Sequence, residues 1–417
     1  MSDSQNDQIK FQPILLGSDF NVYGMARAFH EAYGIKSVAY GSAQLAPTKY
    51  SKIVHVNVIE GFNADPIFIE SMRQIAKGLK SDIQYLLIAC GDGYAELVSK
   101  HKEELSESFI CPYIDFDLFE RLIDKVSFYN ICEEYALPYP NTKIIDKEMV
   151  ESGEEIELPF NFPVALKPAN SVEWLDIDFE GRKKAFVLQS RQEFDSLLVK
   201  IYQAGYTDKM ICQDFIPGDD SHMRVLNAYV DENHKVRMMC LGHTLLEDPS
   251  PASIGNYVVI MPDYNEKIYQ RIQAFLEEIE FTGFANFDMK YDPRDDEYKL
   301  FEINLRQGRS SFYCTLMGYN LAKFVTEDRI YHQPYEGTVY GKGDKVWLGV
   351  PVKVFKEYAV DSADKEKAMQ LIDAGQYGTT VFYDKDKSFK RTLLMKYAFH
   401  KYIGQFKKYF AENKEID

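Results

Sequence analysis

The chain has 417 residues, with 64 acidic and 48 basic side chains, a formal net charge of −16 and a pI of about 5.1. This length predicts two or three domains around a large core. The negative charge opposes non-specific binding to a phosphate backbone, so nucleic acid is excluded as an expected partner.

The sequence shows no targeting or redox signature. No apolar run approaches the roughly 18 residues needed to cross a bilayer, so no transmembrane segment is expected. The start, MSDSQNDQIK, lacks the basic and apolar regions of a signal peptide. Six scattered cysteines form no CxxC pair, and we expect them to be reduced, with no zinc site. A cytoplasmic protein is expected.

The first region alternates strand and helix signals. Apolar runs at 13–16, 53–58 and 85–90 are separated by stretches with helical spacing, for example 23–33. This alternation predicts a parallel α/β sheet. Ligands collect at the carboxyl ends of such strands, which nominates the loops 17–21 and 91–94, although plain tight turns are an open alternative. The glycine spacing is not GxGxxG, so a nicotinamide enzyme is not predicted.

A second region begins near residue 115. The pattern predicts an amphipathic helix over 118–135 and another over 192–203. Lys167 ends an apolar run, where its compact cation either reaches a phosphate or lies at the surface. The strand-like MICQDFIPGDD runs out at Pro217-Gly218, leaving main-chain groups of Phe215 and Ile216 to pair with a flat heterocycle.

Residues 284–309 carry the most informative pattern. Two alternating runs flank a turn of aspartates with Pro293, which predicts an antiparallel hairpin. A turn centred near Asp295 sets Asp288 across from Glu302. With Asn304 they form an all-oxygen set suited to Mg²⁺, and Arg306 can bind another anion. A surface hairpin with a solvated charged face is the alternative. The opposite face is expected to carry Phe287, Met289, Tyr291, Phe301, Ile303 and Leu305.

The order of these residues resembles the ATP-grasp superfamily of carboxylate–amine ligases. Lys125, Lys167 and QDFIPG precede the hairpin, whose FEINLR stretch is the most specific element. The resemblance implies an α/β (α+β) fold, with an N-terminal α/β domain over 1–114. It further implies an ATP-grasp domain over 115–325, whose lid subdomain lies at about 160–217, and a helical C-terminal extension over 326–417. The family's lid loop is often glycine-rich, whereas residues 169–181 hold one glycine.

The resemblance also implies roles for individual residues. Lys125 and Lys167 would hold the phosphates of ATP, and Arg306 would stabilise the transferring phosphate, with Arg224 as a further anion-binding candidate. Two Mg²⁺ ions would bind Asp288, Glu302 and Asn304. The adenine and ribose site would comprise Gln213, Asp214, Phe215, Ile216 and one of Asp219 and Asp220.

Over its whole length the chain also resembles the D-aspartate ligases of Gram-positive bacteria, through LLGSDFNVYGMARAF, KPANSVE and EINLRQGRSSFY. The resemblance implies an enzyme that joins D-aspartate to a lysine amine of a peptidoglycan precursor. A ligase for another amino acid or peptide pair, or a non-catalytic nucleotide-binding module, stays open. A dicarboxylate needs a second cation, Arg309 or Arg224. His243 is either a base or a structural histidine, and Ser310 and Ser311 either contact the acid or shape a turn.

The tail has a different character. Residues 387–408 carry seven Lys or Arg and no acid, interleaved with apolar and aromatic side chains. Such a basic amphipathic helix either packs on the acidic body of the protein or makes peripheral contact with an anionic membrane. The oligomeric state is not indicated.

Overall fold

The computed structural model of the chain describes residues 9–170, 173–251, 253 and 255–413, and its strands form three sheets. The first is parallel, in the order β3-β2-β1-β4, as the alternating signals predict. Helices cover both faces, so Leu15 and Leu16 of β1 enter different hydrophobic clusters. The elements of this region are β1 (Phe11–Leu16), α1 (Phe20–Tyr33), β2 (Ser37–Gly41), β3 (Val54–Val58), α2 (Ile67–Lys77), β4 (Gln84–Ala89), α3 (Asp92–Lys100) and α4 (Lys102–Leu105).

The prediction of a single helix over 118–135 is wrong. Two helices, α5 (Phe116–Ile123) and α6 (Lys125–Glu134), meet at Asp124, whose backbone is extended and whose carboxylate accepts a hydrogen bond from the Ser127 amide at 2.7 Å. An aspartate in this position is a strong N-cap, and it ends one helix while starting the next. The break makes Lys125 the first residue of α6.

A second, antiparallel sheet follows, in the order β5-β8-β6-β7. The sheet begins at Thr142, ahead of the expected lid boundary near 160. The prediction of a helix over 192–203 is confirmed. The elements are β5 (Thr142–Ile145), α7 (Lys147–Glu151), β6 (Val164–Pro168), α8 (Glu173–Asp176), β7 (Phe186–Leu188), α9 (Arg191–Gln203) and β8 (Met210–Asp214).

The third sheet is the largest, with eight strands. Seven lie in the order β13-β12-β9-β10-β11-β15-β16, and β14 pairs with β10. Its first part is built from β9 (Met223–Val230), β10 (Val236–Glu247), β11 (Tyr257–Asp263), α10 (Glu266–Glu278), β12 (Gly283–Asp292), β13 (Glu297–Asn304), α11 (Phe312–Leu316) and α12 (Leu321–Arg329).

The two faces of this sheet serve different cores. Phe287 packs in one cluster, whereas Phe284 packs in the cluster that contains Val22 and Phe29 of α1. Side chains alternate along a strand, so Asp288 shares the face of Phe284, which looks toward the N-terminal sheet.

The C-terminal extension is not purely helical, because three short strands join the large sheet. β14 pairs with β10, β15 pairs with β11, and β16 pairs with β15 at the edge of the sheet. None of the helices in the described ranges is long and apolar enough to span a membrane. The elements are β14 (Val339–Tyr340), β15 (Val346–Leu348), α13 (Val352–Tyr358), α14 (Ala363–Asp373), β16 (Tyr377–Gly378) and α15 (Phe389–Asn413).

Candidate active site

The predicted pairing of the two hairpin carboxylates is confirmed. Asp288 on β12 lies directly across the ladder from Glu302 on β13, and Asn286 lies across from Asn304. The Asn304 amide donates to Asp288 Oδ2 at 3.2 Å. Asp288 is half-buried and Glu302 is exposed, so the pair opens from the sheet into the cleft.

A β-bulge lies immediately beyond this pair. Met289 is in register with Leu300, so Phe301 is an extra residue on β13. Leu300 is buried in the core, whereas the Phe301 ring centre lies 6.0 Å from Lys167 Nζ. The expectation that Phe301 shares the core face is therefore wrong, because the bulge turns its ring toward the lysine.

Two further residues, Glu247 and Tyr257, border the carboxylates and were not among the predicted site residues. Burial and the neighbouring Glu302 raise the pKa of Asp288 to about 8, although a hydrogen bond from Tyr257 opposes the shift. Burial, together with Asp220 and Asp288, raises the pKa of Glu247 to about 8. Glu247 and Tyr257 pair across β10 and β11. The site thus brings together carboxyl groups whose ionised forms are disfavoured by burial and by mutual repulsion.

Two lysines stand opposite this acidic group. Lys125 Nζ donates to the Pro168 carbonyl at 3.4 Å, and Lys167 Nζ donates to the Tyr129 hydroxyl at 2.9 Å. Burial lowers the pKa of each lysine to about 8, and the charge of Lys167 lowers that of Lys125 further. The charge of Glu302 opposes both shifts. A cavity between α3, α5 and β13 brings Lys125 together with Asp92, Glu302 and Asn304.

A cation beside Asp288 would favour its ionised carboxylate, and an anion on Lys125 and Lys167 would favour protonated lysine. Within the described ranges no group of three His, Cys, Asp or Glu side chains could hold a metal by itself. Two carboxylates and an amide suit Mg²⁺, which takes its remaining ligands from phosphates and water. The residues therefore fit a magnesium nucleotide.

The segment after β8 borders the same cleft. Gln213 is buried and donates to Thr142 Oγ1 at 2.9 Å, while Asp214 forms an ion pair with Arg294 at 2.8 Å. The Phe215 ring centre lies 5.3 Å from Lys290 Nζ, and Ile216 is buried. The strand ends at Asp214, so main-chain groups beyond it lie outside the ladder, and their pairing with a heterocycle stays a prediction.

The two acids behind this segment differ in their contacts. Asp219 caps a short 3₁₀ turn through Ser221, whose hydroxyl donates at 2.6 Å. Asp220 Oδ2 accepts from the Glu247 amide at 3.0 Å, which places it beside the acidic group. Of the predicted lid loop 169–181, Ser171 and Val172 lie outside the described residues.

Both N-terminal loops nominated from the sequence meet the segment that follows β13. Arg306 Nε lies 2.9 Å from Asp92 Oδ1 at the start of α3. Asn21 donates to the Gln307 carbonyl at 3.0 Å, and Gln307 donates to the Ala89 carbonyl at 3.1 Å. The chain turns into this site at Gly17, whose φ of +115° favours glycine.

Arg309 lies at the edge of this segment. Its guanidinium is 5.1 Å from the centre of the Phe20 ring and lies close to Tyr402 of α15. Burial raises the pKa of Asp19, the N-cap of α1, while Arg309 and Arg306 oppose the shift. Arg309 and Asp19 therefore lie beside the Arg306–Asp92 pair.

Arg224 is not brought to this group, contrary to the sequence expectation. It is in register with Met289, whereas Asp288 is in register with Val225, so Arg224 lies on the opposite face. There its guanidinium forms an ion pair with Asp263.

Three further residues have structural surroundings. His243 is buried and donates to the Ser221 carbonyl at 2.6 Å, and burial lowers its pKa to about 4, which agrees with a structural histidine. Ser310 and Ser311 are buried at the turn into α11. They support the loop that presents Arg309.

Comparisons with known proteins agree with this arrangement. The chain is 69% identical to a D-aspartate ligase of Enterococcus faecium, over 98% of this chain and 99% of that protein. The L-amino acid ligase of Bacillus licheniformis superposes with a TM-score of 0.54 at 15% identity, covering 77% of this chain and 74% of that one. The biotin carboxylase domain of a Hydrogenobacter thermophilus carboxylase, solved with MgADP, gives a TM-score of 0.58 at 13% identity, with 81% and 73% covered. No family model matches.

Proposed function

Because this chain belongs to the D-aspartate ligase family of ATP-dependent carboxylate–amine ligases, we propose that it joins the β-carboxylate of D-aspartate to a lysine side-chain amine of a peptidoglycan precursor. The identity of 69% along almost the whole chain is the observation that carries the choice of substrates. The opposed carboxylates and lysines support the nucleotide chemistry.

ATP, bound with two Mg²⁺ ions, supplies the phosphoryl group that turns a carboxylate into an acyl phosphate, from which an amine displaces phosphate. Asp288, Glu302 and Asn304 would hold the metal ions. Lys125 and Lys167 would bind phosphate oxygens. Hydrogen bonds to the Pro168 carbonyl at 3.4 Å and to the Tyr129 hydroxyl at 2.9 Å already hold the two side chains in place. Such fixed charges need no reorganisation during the reaction.

The adenosine end of the nucleotide is assigned to the segment after β8. Phe215 and Ile216 would contribute main-chain groups to adenine, with Gln213 and Asp214 anchoring the strand end through Thr142 and Arg294. Between the two acids proposed for the ribose, the contacts favour Asp220. Asp219 is engaged in a turn, whereas Asp220 lies beside Glu247 and faces the acidic group.

The acid substrate is assigned to the space between Arg306 and Arg309. Arg306 would stabilise the transferring phosphate, and Arg309 would bind the carboxylate that does not react, because guanidinium pairs carboxylate in a bidentate manner. Asp19 lies beside both arginines, and it would accept the α-ammonium group. Asn21 and Gln307 are buried close to these arginines, and the Asn21 amide donates to the Gln307 carbonyl.

We assign residues 1–114, with the parallel sheet, to an N-terminal domain. We assign 115–325 to the ATP-grasp domain with its lid at about 160–217, although the sheet of the lid begins earlier, at Thr142. Residues 326–417 form the extension, although β14, β15 and β16 pair with the large sheet. We place the reaction in the cytoplasm, where ATP is available.

Hydroxylamine as a general amine trap tests the proposal. We expect Mg²⁺-dependent ADP release and hydroxamate with D-aspartate, and much less with L-aspartate, D-glutamate or D-alanine. Hydroxamate from another acid in preference to D-aspartate would overturn the substrate assignment. Tight ATP binding without hydroxamate from any acid, even with the muramyl pentapeptide precursor added, would overturn the enzymatic assignment.

A further inference from the structure

The C-terminal helix α15 has an exposed side that the ligase chemistry does not use. Its buried side, formed by Met395, Phe399 and Phe406, packs into the protein. On the other side Phe389 is 85% exposed, Leu393 61% and Tyr397 59%. These three follow one another at intervals of four residues, so they form one apolar line along the helix.

Lysines flank this line on the same exposed surface. At 100° per residue the side chains of Lys390, Lys396, Lys401, Lys407 and Lys408 all fall on the half of the helix that carries the apolar line, and all are exposed. No acidic residue occurs between Lys387 and Lys408, although acids outnumber basic residues in the whole chain by 64 to 48. The basic face is therefore a local reversal of the protein's charge.

The helix is fixed to the body in a way that holds this face outward. Arg391 is buried, forms an ion pair with Asp386 at 3.0 Å and lies 3.9 Å from the centre of the Tyr23 ring. The surface also extends beyond the helix, because Lys390 Nζ lies 5.8 Å from the ring centre of the exposed Tyr50. The basic apolar face is thus a rigid feature of the fold.

We propose that this face of α15 docks on an anionic lipid surface, with Phe389, Leu393 and Tyr397 entering the headgroup region and the lysines contacting lipid phosphates. Apolar side chains that project from a convex helix, ringed by lysines, match an interfacial helix. The acidic remainder of the protein would be repelled by the same surface, which orients the molecule with α15 toward it.

A second copy of the chain fits this face less well. A two-fold contact places the same patch on both sides, so lysines would meet lysines. A protein partner would need an apolar groove matching a single line of three side chains, whereas a lipid interface accepts them without a preformed groove.

Cosedimentation of the full-length protein with vesicles tests the proposal. Vesicles of equal parts phosphatidylglycerol and phosphatidylcholine are expected to bind it, pure phosphatidylcholine much more weakly, and high salt should weaken binding. The triple variant Phe389→Ser, Leu393→Gln, Tyr397→Gln should lose at least about tenfold in partitioning. Replacing Lys390, Lys396 and Lys401 by Gln should cost about fivefold for each lysine.

A matched triple variant, Ile67→Gln, Val199→Gln, Val360→Gln, removes three exposed apolar side chains elsewhere and should bind vesicles like the parent. ADP release and melting temperature report whether each variant is folded. Failure of the intact chain to sediment with anionic vesicles would overturn the proposal, and so would equal binding by the parent and the Phe389 triple variant. A dimer in sedimentation velocity that the same variant abolishes, without vesicle binding, would assign the face to a second copy.

Discussion

Lys167 donates from Nζ to the Tyr129 hydroxyl at 2.9 Å, and that hydroxyl donates in turn to the Phe301 carbonyl at 3.0 Å. Phe301 is the bulged residue next to Glu302. The lysine proposed for phosphate binding is therefore positioned from the strand that carries a proposed metal ligand, although the two belong to different sheets.

Tyr129→Phe tests this connection. Loss of the hydroxyl removes two hydrogen bonds, each of about 1 kcal/mol, and frees the Lys167 ammonium group. We expect the KM for ATP to rise about fivefold, with a loss in stability of about 2 kcal/mol. Tyr139→Phe is the matched control, because Tyr139 stacks on Tyr129 with ring centres 5.7 Å apart. An unchanged KM in Tyr129→Phe would contradict the positioning role.

The lysine pKa values predict a proton linkage. In the absence of nucleotide the pKa values of Lys125 and Lys167 are about 8, well below the ordinary 10.5, and phosphate binding favours their protonated forms. Nucleotide affinity should therefore fall as pH rises through about 8, and binding above that pH should take up protons. Calorimetry of Mg²⁺-free ADP in two buffers of different ionisation enthalpy measures the uptake. Lys167→Met should reduce it, and an absence of uptake in the parent would contradict the assignment.

The hairpin carboxylates should be essential to turnover rather than to folding. Asp288→Asn and Glu302→Gln remove charges that would bind metal, and each should lower ADP release by about a hundredfold or more. Asp295→Asn is the control, because Asp295 is exposed in the hairpin loop and pairs with Lys299. Nucleotide binding without metal should survive in both site variants. Full Mg²⁺-dependent turnover by Glu302→Gln would rule out its proposed role.

Substitution of Arg309 should weaken substrate binding, whereas substitution of Arg224 should lower the stability of the protein. Arg309→Met is expected to raise the KM for the acid by about tenfold or more, with little change in the KM for ATP. Arg224→Met leaves the partly buried Asp263 without its partner and should cost about 2 kcal/mol in stability. Its KM for the acid should stay near that of the parent. A raised KM for the acid in Arg224→Met, together with lost stability alone in Arg309→Met, would contradict this assignment.

Local patterns predicted the parts of the site that lie within one hairpin or one loop. Strand alternation and turn residues were sufficient to place Asp288 opposite Glu302, and the βα alternation nominated the loops that hold Asn21 and Asp92. The bulge at Phe301 has no signature in the alternation. The break at Asp124 was readable as a capping aspartate, but the continuous amphipathic pattern concealed it.

The positions of residues that reach the site through long-range strand pairing could not be predicted from the sequence. Glu247 reaches the site because β10 pairs with β11 and the 3₁₀ turn carrying Asp220 folds back on it. Arg224 was misplaced because its face is fixed by register with Met289, and its partner Asp263 lies 39 positions away in the chain. Such contacts follow from the order of strands in the sheet.

Transfer of a heavy-oxygen label tests the central claim most directly. D-aspartate labelled in its β-carboxylate is incubated with ATP, Mg²⁺ and the lysine-containing precursor, and the released phosphate is analysed by mass spectrometry. Activation as a β-acyl phosphate predicts that one labelled oxygen appears in the phosphate as the amide forms. Amide formation with unlabelled phosphate, or transfer only from a labelled α-carboxylate, would contradict it.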